Sequence, residues 1–119
     1  MSNVTESLES LIELAGARSA ALVDSSTGMV LGHAGSDSDL EITAAANTEV
    51  VRAQLKSIGT LGSKDAIDDI IITLSTQYDI IRPLAVNPSI FLFLAMDKSK
   101  SNMALARYKA AECEAQLEL

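Results

Sequence analysis

Several residue types are scarce in this chain, and their scarcity excludes whole classes of protein. Trp is absent, and the 119 residues include only two Phe and two Tyr. Nine basic residues stand against sixteen acidic ones, a formal net charge of −7. Binding to nucleic acid requires a surplus of Lys and Arg and commonly uses stacking aromatics. We therefore expect no nucleic-acid partner, and the same charge disfavours an anionic membrane surface.

Cysteine and long apolar runs are also scarce. Cys113 is the single cysteine, so the chain forms no internal disulfide, and a lone thiol fits a reducing compartment. The longest unbroken apolar run is residues 90–96, whereas a helix needs about 20 apolar residues to span a bilayer. Residues 1–13 carry acids instead of the basic and apolar parts of a secretory signal. We therefore predict a cytoplasmic protein without a membrane span.

Aliphatic residues, by contrast, are abundant. Hydrophobic residues make up 48% of the chain and charged residues 21%. A chain of this length buries roughly two-thirds of its unfolded surface when it folds as one compact unit. We predict a single domain over residues 1–119.

Three segments have the apolar periodicity of amphipathic helices. Polar residues at capping positions and glycines mark their ends. The first predicted helix is residues 4 to about 16, with a capping box of Asn3 and Glu6. The second is residues 39–58, with a cap at Asp37 or Ser38 (Ser38 pairing with Glu41) and a stop at Gly59. The last is capped by Ser99 or Ser101, and its apolar stripe is Met103, Ala106, Ala110, Cys113 and Leu117.

Five segments have the alternating, β-branched character of strands. The last of them has apolar residues on both faces, which is typical of a central strand covered on both sides. Between the first two, Gly28 can adopt the positive φ that closes a short hairpin. The predicted strands are residues 19–24, 29–35, 69–75, 78–84 and 90–96, so the element order is α-β-β-α-β-β-β-α.

The second helix has two apolar stripes at about 100° per residue. One sheet covers one stripe, so the other is expected to meet a partner, most simply a second copy of the chain. The alternative is that Ala and Thr are tolerated on a solvated helix. One stripe is Ile42, Ala46, Val50 and Ala53, the other is Leu40, Ala44, Val51, Leu55 and Ile58, and the charges Glu41, Glu49, Arg52 and Lys56 occupy a narrow sector.

Four segments together resemble the roadblock family of dynein-associated light chains and bacterial GTPase regulators. They are ALVDSSTGMVLGHAG (21–35), the alanine-rich second helix, DIIRPL (79–84) and FLFLAMDKS (91–99). The resemblance covers nearly the whole chain. It implies an α+β fold of the roadblock/longin-like, profilin-like type. In that fold one five-stranded antiparallel sheet has the second helix on one face and the first and last helices on the other.

The resemblance also implies homo- or heterodimers that join through the second helix and the third strand. In the family the third strand is a sheet edge, and an exposed aliphatic edge is an aggregation hazard unless another strand pairs with it. Asp68 and Asp69 lie beside this edge. They would repel the same residues of the second subunit unless Arg52, Lys56 or Lys64 of that subunit lies opposite them. The predicted dimer-interface residues are Leu40, Ala44, Asn47, Val51, Leu55, Ile58, Ile71 and Thr73, and the predicted partner-docking residues are Glu49 and Arg52.

Catalytic patterns are weak throughout the sequence. His33 is the only histidine, and no pattern identifies a nucleophile for it. The Asp residues lack the spacing of metal ligands. Residues 59–64, GTLGSK, have the wrong spacing for a phosphate loop and follow a helix instead of preceding one. We predict no catalytic residue, no cofactor, no metal and no enzyme activity.

Arg82 and Cys113 are interpreted as structural residues, in preference to a catalytic or redox role. Arg82 lies in a strand beside Pro83, too constrained for a finger that stabilises phosphoryl transfer in another protein. Cys113 lies on the packing stripe of the last helix, which favours buried filler over a redox centre.

Two functional hypotheses follow. The first is a non-enzymatic dimeric regulator or adaptor of a Ras-like small GTPase, as the resemblance implies. The second is a structural scaffold subunit of a cytoplasmic complex that leaves nucleotide turnover unchanged. The sequence leaves open which GTPase or complex is bound, and whether the effect is activation, exchange or tethering.

Overall fold

The computed structural model describes residues 3–37 and 39–119. Within these residues no helix is long and apolar enough to cross a membrane. The elements are α1 (Val4–Leu11), β1 (Ala17–Asp24), β2 (Met29–Gly35), α2 (Leu40–Thr60), β3 (Ile70–Thr73), β4 (Gln77–Pro83), β5 (Ile90–Asp97) and α3 (Met103–Gln116). This is the predicted element order.

The five strands form one antiparallel sheet in the order β2-β1-β5-β4-β3. β5 is therefore the central strand, as its apolar character on both faces predicted. β3 is an edge strand, as the resemblance implied. The predicted α+β fold class is confirmed.

Each face of the sheet has its own hydrophobic core. On one face Leu92 and Leu94 of β5 are buried with apolar residues of α1 and α3. On the other face Phe91 and Phe93 of β5 are buried with residues of α2. The assignment of alternate β5 residues to opposite faces is confirmed, and so is the placement of the helices.

The first helix is shorter than predicted. α1 ends at Leu11, not near Gly16, because residues 12–16 form turns before Gly16 takes a positive φ of 87°. The predicted capping box is also wrong. The Asn3 side chain instead joins the two ends of the chain, since its Nδ2 donates to the Gln116 carbonyl at 2.7 Å and its Oδ1 accepts from the Glu118 amide at 2.8 Å.

The second helix is longer than predicted. α2 continues through Gly59 to Thr60, and Gly62 is the glycine with a positive φ, 67°. Of two glycines three residues apart, only the second ends the helix. At the other end the N-cap is Asp39 and not Asp37, whose Oδ1 accepts from the Asp39 amide at 2.9 Å. The alternative cap, Ser38, lies outside the described residues.

The last helix is capped by Asn102, not by Ser99 or Ser101. The Asn102 Oδ1 accepts from the Leu105 amide at 3.1 Å, whereas both serines donate to Asp97. The predicted apolar stripe of α3 is confirmed. Ala106, Ala110 and Cys113 are buried, and Met103 and Leu117 pack against the same core.

Four of the five strands have bounds that differ from the predictions. β4 lies one residue earlier, at Gln77–Pro83 instead of residues 78–84, and β5 extends one residue further, to Asp97. β1 begins at Ala17, two residues early, and β3 covers only Ile70–Thr73 instead of residues 69–75. Asp69 lies immediately before the strand and forms ion pairs that are described below. The hairpin turn between β1 and β2 is as predicted, because Gly28 has a φ of 78° and its amide donates to the Asp24 carbonyl at 2.7 Å.

Candidate interaction surface

The sheet-facing side of α2 is one of the two stripes identified in the sequence. Val51 is 0% exposed, Ala44 3% and Asn47 7%. Ala44 and Val51 belong to the core that also contains Phe91 and Phe93. Three of the eight predicted interface residues, Ala44, Asn47 and Val51, are therefore corrected to interior positions, because they have almost no surface to offer a partner.

The other predicted residues of this stripe keep part of their surface. Leu40, Leu55 and Ile58 are half-buried, and Leu40 and Leu55 pack against the same core. These residues lie at the edge of the contact between α2 and the sheet.

The outward side of α2 is the stripe that the sequence analysis assigned to the sheet. Ile42 is 70% exposed, Ala46 and Ala53 are exposed, and Val50 is half-buried. At about 100° per residue, Ile42 lies opposite Val51. A large exposed aliphatic side chain among small residues offers apolar surface that close helix packing would bury.

The two predicted docking residues have different surroundings. The Arg52 Nε donates to the Ser25 carbonyl at 2.7 Å and its Nη2 to the Ser26 carbonyl at 2.9 Å. Arg52 therefore fastens α2 to the β1–β2 turn. Glu49 Oε1 lies 3.7 Å from Arg52 Nη1, with 77% of its side chain exposed. Glu49 is thus the more available of the two charges.

The edge strand β3 has one strand neighbour, β4, and carries two exposed side chains on the sheet face away from α2. Ile70 and Ile72 pack on the core beneath α2, while Ile71 is 39% exposed and Thr73 is exposed. Its pairing with β4 is regular from Ile70 to Thr73. A short regular aliphatic edge can accept another strand.

The opposite edge strand, β2, is irregular. Its register with β1 shifts so that Leu22 pairs with Gly32 and Val23 with Val30, which leaves Leu31 as an extra residue. Such a bulge twists an edge and interrupts its row of backbone groups. Of the two edges, β3 is the better suited to pairing.

Asp69, just before β3, is paired within the chain. Its Oδ2 lies 2.9 Å from Arg107 Nε and 3.6 Å from Arg82 Nη1. Arg82 Nε in turn donates to Glu114 Oε1 at 2.6 Å. The repulsion expected at this edge is thus relieved for Asp69, by arginines other than the basic residues proposed from the sequence.

The network of Asp69, Arg82, Arg107 and Glu114 was not predicted from the sequence. The only signal for it was local: Arg107 and Glu114 are seven residues apart, two turns along one side of α3. Nothing in the periodicity of β3 or β4 indicated that α3 would lie beside them. The network agrees with a structural role for Arg82, which has 17% of its side chain exposed.

Two further titratable groups are buried. Burial, and secondarily the Glu114 charge, raises the pKa of the Cys113 thiol to about 11, and Sγ contacts the Ser7 carbonyl at 3.7 Å. At neutral pH the thiol is protonated and weakly nucleophilic. Asp79 on β4 is also buried, and its burial raises its pKa despite a hydrogen bond from Gln77.

A five-stranded antiparallel sheet with α2 on one face and α1 and α3 on the other defines the roadblock/LC7 class of fold, and this chain has that fold. It is similar to a roadblock/LC7 domain from Streptomyces avermitilis, with a TM-score of 0.80, 15% identity and coverage of 92% of this chain and 90% of that one. It is also similar to MglB from Myxococcus xanthus, with a TM-score of 0.82, 16% identity and coverage of 94% and 89%.

A third similar structure is the gliding protein MglB from Thermus thermophilus, with a TM-score of 0.76, 19% identity and coverage of 92% and 81%. No protein-family model matches the sequence, and no curated protein matches it. The roadblock resemblance is confirmed at the level of the fold.

Proposed function

We propose that this chain is a non-enzymatic, cytoplasmic regulator or adaptor of a Ras-like small GTPase that works as a homodimer of one-domain subunits. The observation that carries the proposal is the free aliphatic edge of β3 on the same molecule as an uncovered apolar stripe on α2. A second copy would extend the sheet across β3 and remove the aggregation hazard of that edge. The likeness to MglB structures supports the proposal through the fold alone.

The orientation of α2 indicates which flank would meet the second copy. Arg52 ties one flank to the turn between β1 and β2, at the edge of the sheet opposite β3. Val50 and Arg52 lie about 100° to either side of Val51, which faces the sheet. The Val50 flank therefore faces β3. We propose that Val50 meets the second copy together with Ile71 and Thr73.

The outward face of α2 would then be free to bind the GTPase. It carries Ile42 as an apolar anchor and Glu49 as an available charge, with Arg52 beside it. An exposed apolar residue flanked by charges fits the usual arrangement of a binding surface, in which apolar groups supply affinity and charges supply selectivity.

The deciding experiment measures GTP hydrolysis and nucleotide release by the Ras-like small GTPases of the same organism, each with and without the purified protein. We expect a changed rate, and we expect Glu49→Lys with Ile42→Ala to abolish the change. The control is Glu9→Lys on α1, an exposed acid on the opposite face of the sheet. Binding without any rate change would favour the scaffold hypothesis, and no binding at all would contradict the proposal.

A further inference from the structure

We propose that Asp69 is a positioning residue for the β3 edge: its ion pairs with Arg82 and Arg107, continued to Glu114, hold β3 in the register that pairing with a second copy requires. The inference rests on the proposed dimer for its function. Its structural part, the fastening of β3, is testable in a single subunit.

β3 has little else to hold it. It is four residues long, whereas β1 and β5 have eight each. As an edge strand it has one neighbour, β4, and the connector before it is exposed throughout residues 61–66. Ile70 and Ile72 are only half-buried. Short edge strands with exposed connectors are the segments that open first in native proteins.

The network closes one end of the β3–β4 hairpin. Asp69 immediately precedes β3, and Arg82 lies near the end of β4, where Ile70 pairs with Ile81. Glu114 Oε2 also accepts the amide of Ala85, just beyond β4, at 2.8 Å. The hairpin turn closes the other end, where the Leu74 amide donates to the Gln77 carbonyl at 2.8 Å.

Both anchoring side chains come from α3. Arg107 contacts Asp69 with Nε at 2.9 Å and Nη2 at 3.5 Å, and Glu114 reaches Arg82 two turns further along the helix. The helix thereby sets where β3 begins. Side chains this close in partly dehydrated surroundings form charge-assisted bonds stronger than neutral ones.

Asp69 is the member whose loss matters most. Its carboxylate is shared by two guanidinium groups and has 9% of its side chain exposed. Neutralising it would leave Arg82 and Arg107 facing each other without the intervening charge. Arg82, with 17% of its side chain exposed, would then be partly dehydrated with one carboxylate partner fewer, whereas Arg107, with 51% exposed, would remain in contact with water.

The first test is amide hydrogen exchange, followed by NMR, on Asp69→Asn at concentrations where the wild-type protein is monomeric. We expect amides of β3 to exchange faster by about tenfold or more, which corresponds to the loss of one charge-assisted hydrogen bond. Amides of β1 and β5 should keep their wild-type rates. The matched control is Asp68→Asn, which removes the same charge one residue earlier from an exposed side chain.

Unchanged exchange in β3, or an equal acceleration in every strand, would contradict the inference, since a general structural role would loosen the whole sheet. If Asp69→Asn does not fold, Glu114→Gln replaces it, with the same selective acceleration expected at β3. The second measurement is the dimer dissociation constant by sedimentation, which we expect Asp69→Asn to raise about tenfold. Asp68→Asn should not raise it, because that substitution removes a charge that would repel its counterpart in the second copy. A wild-type protein that never dimerises would refute the proposed assembly, while the exchange data would still decide the role of Asp69.

Discussion

At the residue scale, the least expected group is Asp79, a carboxylate with 9% exposure in the middle of β4. It lies between Ile72 of β3 and Ala95 of β5, on the face that α2 covers. Gln77 Nε2 donates to its Oδ1 at 2.7 Å, and the Oε1 of the same amide accepts from Arg18. Burial nevertheless disfavours the charged form, so the pKa of Asp79 lies above its usual value.

The raised pKa of Asp79 makes a prediction with a defined sign. A carboxyl whose folded pKa is above its unfolded pKa binds protons more tightly in the folded state, so it supports stability at low pH and loses that effect as pH rises through the folded pKa. Asp79→Asn keeps an acceptor for Gln77 and removes the ionisation. We expect a higher melting temperature than wild type at neutral pH and no difference at pH values below the unfolded pKa. An increase that persists in acid would contradict the explanation.

The two stripes of α2 make a second prediction, based on a matched pair of substitutions. Val51→Asp places a charge in the core and should lower the free energy of unfolding by more than about 3 kcal/mol. Ile42→Asp changes a side chain that is 70% exposed and should lower it by less than about 0.5 kcal/mol. Urea denaturation of the two variants, monitored by circular dichroism, provides the comparison. Similar losses in both would show that α2 is rotated relative to the sheet described above.

At the scale of the elements, the end of α2 shows that only one of two nearby glycines ends the helix. Gly59 lies inside the helix with open space around it, and Gly62, three residues later, has the positive φ. Both are glycines with no neighbouring atom near the position of a Cβ. They differ only in backbone conformation, which makes them a matched pair.

We expect Gly59→Ala to stabilise the protein by up to about 1 kcal/mol, because Ala has the higher helix propensity and loses less backbone entropy. Gly62→Ala should destabilise it by about 1 kcal/mol, because an L side chain is strained at a positive φ. Chemical denaturation measures both changes. A destabilising Gly59→Ala would mean that the helix ends where the sequence analysis placed the stop.

At the scale of the whole molecule, the asymmetry between the two sheet edges is the main feature. The edge at β2 is interrupted by the extra residue Leu31, whereas β3 pairs regularly with β4 up to its end. Both apolar stripes of α2 are accounted for if one packs on the sheet and the other, together with β3, meets other proteins. The homodimer is the simplest assembly that covers the edge.

The homodimer predicts a melting temperature that rises with protein concentration and about 800 Å² of surface buried per subunit. Ile71→Lys should abolish the dimer detected by light scattering and the dependence of the melting temperature on protein concentration. The reason is that two like charges would face each other across the paired edge. Leu105→Lys is the control, since Leu105 has a similar exposure on α3, 43% against 39% for Ile71. A wild-type protein that scatters light only as a monomer would contradict the assembly.

Features that depend on neighbours along the chain could be predicted from the amino-acid sequence. The strand periodicity identified β5 as central and assigned Phe91 and Leu92 to opposite faces. Gly28 marked its turn. These features are local, because side-chain alternation and backbone conformation follow from residues within a few positions.

Which stripe of α2 faces the sheet, and which charges meet at β3, depends on tertiary packing. Both stripes satisfy the helical period equally well, so the choice of Val51 over Ile42 depends on the shape of the sheet surface beneath the helix. Asp69 and Arg107 are far apart in the chain and become neighbours only once α3 packs on the sheet. Pairing across such distances leaves no periodic trace in a sequence, because it is the packing of whole elements that brings the partners together.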